Sequence, residues 1–333
     1  MLVAGSDTPR LLHAVPGSHA SALISYMALA AFYDLKQLFY FREILEALDP
    51  KKHPHAVLIG DSGSVGSGRI GILPGSFNPP TLAHIELGRR AKESFKLDEI
   101  FFTISRVTVD KEKIEVISLE DRLLLLSLIA VELGWASVAA ANRGLYFEQA
   151  RALRSLVGNN AKLYFIVGMD KVMQIFDSRY YQDREKALHI LFTESQLIAA
   201  NRGLLGKENL EALLNRSENE PYQDRVYPLR LPGEFEEISS SAIRGKIAAG
   251  ESMKSVLPEL VNNFISESAA YRPPYDLRSL LLRRLYPIRE WAEKEADFQR
   301  LVYTAGKTTE RGEKLRKLLI NPRTSPPDLK PFL

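Results

Sequence analysis

The chain has 333 residues, 45% of them hydrophobic, which is enough to bury the core of one large α/β domain or of two smaller ones. Its 44 Lys and Arg residues against 41 Asp and Glu residues leave a formal net charge of +3, which gives no reason to expect nucleic acid or an anionic membrane as a partner. The absence of cysteine excludes disulfides, thiolate catalysis and cysteine-ligated zinc. The cytoplasm is therefore the default location, with nuclear and organellar locations left open.

Residues 1–68 predict a helical extension followed by a linker. Residues 18–48 have the pattern of one or two helices, which Asp49 and Pro50 end. Their most apolar part, residues 20–33, is shorter than the ~20 residues that a membrane span needs. Residues 55–60 are compatible with a strand. Residues 60–68, GDSGSVGSG, have the composition of a linker, whereas a phosphate-binding loop is the weaker alternative because the spacing is not GxGxxG.

From residue 69 the sequence alternates between short apolar runs and helical segments. The helical segments include residues 83–95 and 119–133. Alternation of this kind predicts a parallel sheet with helices on both faces, so the expected fold is a doubly wound, Rossmann-like α/β domain over residues 69–271. The expected strands are residues 70–73, 100–104, 136–140, 163–167, 188–192 and 226–231.

Residues 272–333 predict a second helical extension. Three charged amphipathic helices are expected, at roughly residues 277–286, 289–304 and 309–319, before a Pro-rich tail. Apolar stripes on such helices need a surface to cover. We therefore expect the helices to dock on the α/β domain or on another subunit, and a homo-oligomer stays an open alternative.

The segment GILPGSFNPPTLAH, residues 71–84, places a tight turn between the first strand of the α/β domain and a helix. Pro79 and Pro80 fit a first helical turn, and Gly75 allows the backbone to approach a ligand closely. Thr81 and His84 share one helical face at the positive end of the helix dipole. The segment as a whole predicts an anion site, whereas His84 taken alone is better explained as a hydrogen-bonded histidine on a helix.

A second segment, EISSSAIRGKIAAG, residues 237–250, has the pattern of another capped helix. Ser239, Ser240 and Ser241 supply N-cap hydroxyls, Arg244 lies near the first turn, and Gly250 is a natural C-cap. The segment predicts a second anion site. Without the first segment, a capped helix with a surface arginine would be an adequate explanation.

These two segments resemble the nucleotidyltransferase superfamily, also called cytidylyltransferase-like. GSFNPPTLAH is similar to its signature G-x-F-x-P-x-H/T-x-x-H, and EISSSAIR is similar to the ISSTxIR motif of nicotinamide or nicotinate mononucleotide adenylyltransferases. Class I aminoacyl-tRNA synthetases share a distant histidine motif, but the second segment is unlike their Lys-rich loop. The resemblance covers about residues 69–271 and implies an adenylyltransferase that uses ATP and a mononucleotide.

The resemblance also implies roles for individual residues. His84 and Arg244 would be catalytic, and the acceptor would contact Trp135, Tyr181 and Arg202. Mg²⁺ would come with ATP, bound mainly through the triphosphate, with no metal ligands expected from the protein. ATP and its phosphates would be bound by Gly75, Ser76, Phe77, Thr81, Lys111, Lys113, Gly168, Asp170, Ser239, Ser240 and Ser241.

The sequence departs from the family pattern where the acceptor base is bound. The family stacks the base on tryptophan, but the second expected tryptophan falls on Ala141, and Tyr181 stands eleven residues after Asp170 where relatives carry another. The acceptor could therefore instead be FMN, phosphopantetheine or, with CTP, an alcohol phosphate. A noncatalytic nucleotide sensor whose terminal helices bind a protein partner is the alternative outside the enzyme class.

Overall fold

The structure is a computed structural model. It describes residues 31–60, 68–107, 117–158, 160–201, 206–236, 238–268, 270–271, 278, 280–282, 286, 295–307, 309–321 and 326–332. The strands are β1 (Ala56–Ile59), β2 (Arg69–Pro74), β3 (Glu99–Ser105), β4 (Ala136–Ala141), β5 (Lys162–Gly168), β6 (Ser195–Ala200) and β7 (Val226–Leu229).

Helices connect these strands and flank them at both ends of the chain. They are α1 (Leu35–Ala47), α2 (Leu82–Phe95), α3 (Leu119–Leu133), α4 (Tyr146–Arg154), α5 (Met169–Phe176), α6 (Arg184–Glu194), α7 (Lys207–Leu214), α8 (Gly233–Glu236), α9 (Ser240–Ala248), α10 (Glu259–Ser268), α11 (Glu295–Ala305), α12 (Glu310–Ile320) and α13 (Pro326–Leu329). No helix in the described residues combines the length and the hydropathy needed to cross a membrane.

The seven strands form one sheet in the order β1-β4-β3-β2-β5-β6-β7. All neighbouring pairs are parallel except β1 and β4, which run antiparallel. The chain order runs outward from β2 in one direction through β3 and β4, and from β5 in the other direction through β6 and β7. The order therefore reverses between β2 and β5, and ligands bind such sheets outside the carboxyl ends of the strands at this point.

Successive side chains of each strand pack into two cores, one on each face of the sheet. In β3, Ile100 and Phe102 lie in the core shared with α1, α2 and α3, whereas Phe101 lies in the core shared with α4, α5 and α6. The period of two is that of a strand buried on both faces. The doubly wound α/β fold predicted from the sequence is confirmed.

Both chain extensions dock on this domain through a buried ion pair. The guanidinium of Arg278 lies 2.7 Å from the carboxylate of Asp121 at the start of α3, and it also donates a hydrogen bond to the carbonyl of Phe32. The same guanidinium contacts the faces of the Phe264 and Phe298 rings, 5.3 and 5.2 Å from their centroids. Docking of the terminal helices on the α/β domain, one of the two expected arrangements, is confirmed.

Three sequence expectations about the elements were wrong. Residues 188–192 belong to α6 and not to a strand, since Leu188, Leu191 and Phe192 recur at helical spacing; a short apolar run alone does not distinguish the two structures. Pro79 and Pro80 precede the N-cap of α2 instead of forming its first turn. Strand β1, assigned to the N-terminal extension, joins the sheet at its edge.

Some predictions concern residues outside the described part of the chain. These are the linker residues 61–67, most of the first C-terminal helix expected at residues 277–286, and the site residues Lys111, Lys113 and Arg202. The boundaries predicted for the three domains stay predictions.

Removal of the Asp121 carboxylate would leave the guanidinium of Arg278 buried without its ion-pair partner. We expect Asp121→Ala to lower the free energy of unfolding by about 3–5 kcal/mol, and simultaneous replacement of both residues by apolar ones to cost less. Urea unfolding of the full chain measures both changes. As a control, Glu93→Ala removes an ion-pair partner of Arg89. The Glu93 side chain is 60% exposed, so its removal should cost less than about 1 kcal/mol of unfolding free energy. Equal losses for the single and double replacements would contradict the assignment.

Candidate active site

A cleft of about 1170 Å³ opens at the carboxyl ends of the central strands. Its floor is formed where β2, β3, β5 and β6 end, at the switch point of the sheet. Both segments singled out in the sequence contribute to its walls, including Gly75, Ser76, Thr81, His84, Ser239, Ser240, Ser241 and Arg244. The structure thus brings together the two segments that were predicted to bind anions: Ser240 donates a hydrogen bond to Pro79, which lies 161 residues before it in the chain.

The turn after β2 is anchored by the buried ring of Phe77. Phe77 has a backbone φ of +44° and is fully buried, with its ring edge-to-face against Phe102 at a centroid distance of 5.7 Å. A Cβ on Gly75 would lie 2.9 Å from that ring, so only glycine leaves enough room for the ring at this position. The Gly75 N–H donates to the carbonyl of Thr103 at 3.1 Å. Gly75 and Phe77 therefore shape the turn, with the amide of Gly75 bonded to the sheet and the ring of Phe77 in the core; their predicted part in phosphate binding stays a prediction.

Thr81 and His84 form a reciprocal cap at the start of α2. The Nδ1 atom of His84 accepts the backbone N–H of Thr81 at 3.1 Å and lies 2.7 Å from the Thr81 hydroxyl. Because Nδ1 must keep a lone pair to accept that N–H, a neutral imidazole carries its proton on Nε2, where it can be donated. Thr81 is fully buried, and its backbone N–H and hydroxyl both contact Nδ1 of His84, so Thr81 orients the imidazole. This cap therefore sets the tautomer of His84.

The three serines of the second segment each make a structural hydrogen bond at the start of α9. Ser239 caps the helix by accepting the backbone N–H of Ala242 at 3.2 Å, as predicted. Ser240 donates to the carbonyl of Pro79 at 3.0 Å, and Ser241 accepts from Arg244 at 3.1 Å. These hydroxyls can contact a ligand only if they also keep their hydrogen bonds within the protein.

Asn78 links the second segment to the first. Its carbonyl accepts a hydrogen bond from Arg244 at 2.8 Å, and its side-chain oxygen accepts one from the buried hydroxyl of Tyr271 at 2.8 Å. Burial raises the pKa of Tyr271 well above its usual value, so the phenol keeps the proton that it donates. The starts of α2 and α9 are therefore held at a fixed separation over the cleft.

The strand-end motif at β5 is also at the cleft. Gly168 is the N-cap of α5, Asp170 lies in the first turn of that helix, and both line the cleft; their predicted contact with ATP stays a prediction. Tyr146, at the start of α4, lies near enough to Asp170 to be affected by its charge. The pKa of Tyr146 is raised, first by burial and then by the charges of Asp170 and Tyr181. This end of the cleft is therefore lined by a carboxylate and neutral phenols.

Of the two described residues predicted to contact the acceptor, only Tyr181 lies in the cleft wall. Its hydroxyl donates to the carbonyl of Ile175 at 2.8 Å, and its ring lies 6.2 Å from that of Phe147. Burial raises its pKa to about 12. Trp135 stands before β4, at the amino edge of the sheet, where its ring packs over Gly88 of α2. Its predicted contact with the acceptor is corrected, since the cleft is at the opposite edge.

The model of the family described as Cytidylyltransferase-like matches residues 72–246, which include both segments of the cleft. The chain belongs to the cytidylyltransferase-like family. A probable nicotinate-nucleotide adenylyltransferase of Thermoanaerobacter sp. is 25% identical over 209 residues, which are 61% of this chain and 94% of the relative. The corresponding protein of Carboxydothermus hydrogenoformans is 29% identical over 213 residues, 61% of this chain and 98% of the relative.

A search of solved structures found the nicotinic acid mononucleotide adenylyltransferase of Plasmodium falciparum complexed with NaAD. It is 21% identical and has a TM-score of 0.47, with 61% of this chain and 97% of that chain covered. These similarities span about the same share of the chain as those to the bacterial relatives.

This member of the cytidylyltransferase-like family has cleft residues that the motifs did not reveal. Arg122, near the start of α3, is 7% exposed and donates to the carbonyls of Ile117 and Ser76 at 2.9 and 3.4 Å. Arg42 of α1 also lines the cleft and pairs with Glu120 at 3.0 Å. The position of Arg122 at the start of a capped helix after a strand was an available signal, whereas nothing in the sequence indicated that α1 reaches the cleft.

Gln149 of α4 was missed as well, although α4 follows the carboxyl end of β4. Its side chain lines the cleft and is 4% exposed. The rule that residues just after parallel strands surround the ligand crevice would have selected it. Within the described residues, no group of three or more His, Asp or Glu side chains could hold a metal ion.

The close fit between Gly75 and Phe77 can be tested by a double-mutant cycle. Gly75→Ala adds a methyl group 2.9 Å from the Phe77 ring, and we expect overpacking to cost about 1–3 kcal/mol of unfolding free energy. Phe77→Leu removes the ring, so Gly75→Ala should cost less in that background. Chemical denaturation of the four proteins measures the coupling. Additive effects would show that the ring is not what requires glycine at this position.

Proposed function

We propose that the protein is an adenylyltransferase that transfers AMP from ATP to nicotinamide or nicotinate mononucleotide, with release of pyrophosphate. The observation that supports this most directly is the pair of capped helix starts, α2 and α9, joined through Asn78 over a single cleft. Two helix N-termini with His84 and Arg244 suit a polyphosphate, because backbone amides and cationic donors both favour anions. The names of the bacterial relatives suggest the acceptor.

In the proposed reaction, a phosphate oxygen of the acceptor attacks the α-phosphorus of ATP. The bond to that phosphorus forms as the bond from the α-phosphorus to the bridging oxygen of pyrophosphate breaks. A phosphate monoester is largely ionised at neutral pH, so no general base is required, and catalysis depends on positioning and charge stabilisation. His84 donates from Nε2 to phosphate oxygens, and pyrophosphate leaves toward Ser241 and Arg244.

Mg²⁺ fits this scheme as an ion that enters with ATP. The carboxylates on the cleft wall include Asp170, on α5, and Glu120, which is paired with Arg42. Mg²⁺ commonly uses one or two carboxylates together with substrate phosphates and water, so a dedicated cage of protein ligands is not needed. When bound, it would neutralise charge on the triphosphate.

The docked extensions reduce the support for a noncatalytic sensor. That alternative rested partly on terminal helices that needed a protein partner. Leu301 of α11 and Leu315 of α12 are instead buried in the same core as the catalytic domain. The apolar stripes of these helices are thus covered within the chain itself.

Pyrophosphate release tests the proposal directly. The purified chain is incubated with ATP, Mg²⁺ and one acceptor at a time from a panel of nicotinamide mononucleotide, nicotinate mononucleotide, FMN and phosphopantetheine, with CTP and an alcohol phosphate as a further arm. We expect release with a pyridine mononucleotide and identification of the dinucleotide by mass spectrometry. Release only with another acceptor would assign a different transferase activity, and release with none would favour the sensor.

Removal of either proposed phosphate donor should slow turnover. We expect His84→Ala and Arg244→Ala each to lower kcat by roughly 10² to 10³, the magnitude typical of one lost transition-state donor. Thr81→Val is the matched variant for orientation, since it keeps the shape of the buried side chain and removes only the hydroxyl beside Nδ1. It should reduce kcat less than His84→Ala does. Near-normal turnover of folded His84→Ala would contradict the assigned role.

The ring of Tyr181 is proposed to stack on the acceptor base. Such stacking contributes roughly 0.5–1.5 kcal/mol beyond area burial, so Tyr181→Ala should weaken binding of the mononucleotide several-fold to tenfold and leave ATP affinity nearly unchanged. Tyr181→Phe keeps the ring and loses only the hydrogen bond to Ile175, and Tyr181→Trp enlarges the ring; both should bind the mononucleotide well. Calorimetric titration with each substrate measures these effects, and equal losses for ATP and acceptor would argue against stacking.

A further inference from the structure

The N-terminal extension contributes a cation to the wall of the cleft. Arg42 lies on α1, outside residues 72–246, which the family model matches. Its guanidinium is held between two carboxylates, since Nε donates to Glu46 and Nη1 donates to Glu120, each at 3.0 Å. Both glutamates also line the cleft. The charged end of Arg42, and not only its aliphatic stem, therefore lies at the wall.

One nitrogen of this guanidinium is left for a ligand. The Arg42 side chain is 33% exposed, and its Nη2 atom makes no hydrogen bond to the described residues. Unlike the buried, unpaired nitrogens of Arg122 and Arg278, Nη2 keeps access to solvent. An arginine is always charged and carries five N–H donors in a flat fork, and only two of them are used here. The others can bind an anionic oxygen.

Contacts from two other parts of the chain fix the position of Arg42. Its guanidinium lies 5.8 Å from the centre of the Tyr286 ring. Arg106, the residue after β3, donates from Nη1 to three carbonyls at the end of α1, those of Leu45, Glu46 and Leu48. Because the side chain is already ordered, little conformational entropy is lost when it binds a ligand.

Arg42 and Arg244 reach the cleft from different halves of the doubly wound sheet. Arg42 is bound to the first turn of α3, which follows β3, whereas Arg244 belongs to α9, which follows β7. The turn after β2 lies between these helix starts. Arg122, in the first turn of α3, donates to the carbonyl of Ser76 in this turn, and Arg244 donates to that of Asn78. The two cations therefore approach this turn from different sides.

We propose that Arg42 binds the phosphate group of the acceptor. The inference rests on the proposed function and adds to it a residue from outside the matched family domain. In-line displacement places the attacking and leaving oxygens on opposite sides of the α-phosphorus. Pyrophosphate leaves toward Arg244, so the attacking phosphate comes from the half of the cleft that contains Arg42.

The charge of this half of the cleft suits a phosphate. Glu46 is 47% exposed, so water screens its carboxylate. Among the described residues of this wall, three arginines stand against two glutamates, and the phosphate of a monoester therefore meets an excess of positive charge. The five residues are Arg42, Arg106, Arg122, Glu46 and Glu120.

Calorimetric titration of the full chain tests the inference. We expect Arg42→Met to weaken binding of the mononucleotide about tenfold, the effect of one lost hydrogen bond to a charged group, and to leave ATP affinity nearly unchanged. The nucleoside that lacks the phosphate should bind the wild-type protein and this variant equally well. Lys36→Met is the matched control, because it removes an exposed cation from the same helix away from the cleft. It should change none of these affinities.

A double variant separates phosphate binding from neutralisation of Glu120. The Glu120 side chain is 5% exposed, so loss of Arg42 leaves a buried carboxylate unpaired, which destabilises the fold and repels phosphate. Arg42→Met combined with Glu120→Gln removes both charges, and we expect its affinity for the mononucleotide to stay as low as that of Arg42→Met. Recovery of wild-type affinity would show that Arg42 acts only through Glu120 and would overturn the inference.

The outcomes separate the inference from the proposed function. Unchanged affinity for the mononucleotide in the folded variants, or an equal loss for ATP or for the nucleoside, overturns the role of Arg42 and leaves the adenylyltransferase activity intact. Pyrophosphate release only with another acceptor of the panel overturns the pyridine substrate alone. Every acceptor of the panel carries a phosphate monoester, so the same titrations then use that acceptor. Neither binding nor release with any acceptor overturns both.

Discussion

The hydrogen bonds around Asn78 are the interaction on which the site depends. The backbone carbonyl of Asn78 binds Arg244, its side chain binds Tyr271, and the carbonyl of the next residue, Pro79, binds Ser240. These donors come from the second segment and from the end of the catalytic domain. Two helix starts can act on one polyphosphate only if their separation is fixed, and here it is fixed by polar contacts to a single turn. The conformation of this turn depends on the buried ring of Phe77.

The start of helix α3 also joins distant parts of the chain through polar contacts. Its first residues bind in three directions: Glu120 pairs with Arg42 of α1, Asp121 pairs with Arg278 of the C-terminal extension, and Arg122 holds the carbonyl of Ser76 at the cleft. The extensions, which lie outside the residues 72–246 that the family model matches, are therefore connected to the cleft wall through one helix start. The network is only partly satisfied, because the second carboxylate oxygen of Asp121 and one guanidinium nitrogen of Arg278 are buried with no hydrogen-bond partner in the described residues.

Local patterns in the sequence predicted most of the fold and the two anchors of the site. Five of the six expected strands, the capped helices α2 and α9, and the strand-end position of Asp170 depend on residues close together in the chain, so periodicity, caps and turns were sufficient to locate them. The exception, residues 188–192, is a short apolar run that packs equally well as one face of a helix. The resemblance of the motifs to the cytidylyltransferase-like family followed from the same local segments.

The sequence by itself thus determined the fold class, the family and the positions of the two capped helix starts, because each is encoded in a contiguous run of residues. Tertiary structure alone decided how the polar groups are used. It assigned the Gly75 amide to the sheet, placed Trp135 at the edge away from the cleft, brought Arg42 into the wall, and left the oxygen of Gln149 without a donor among the described residues. Each of these depends on which distant partner a side chain meets, and a partner that is far away in the chain leaves no local pattern to read.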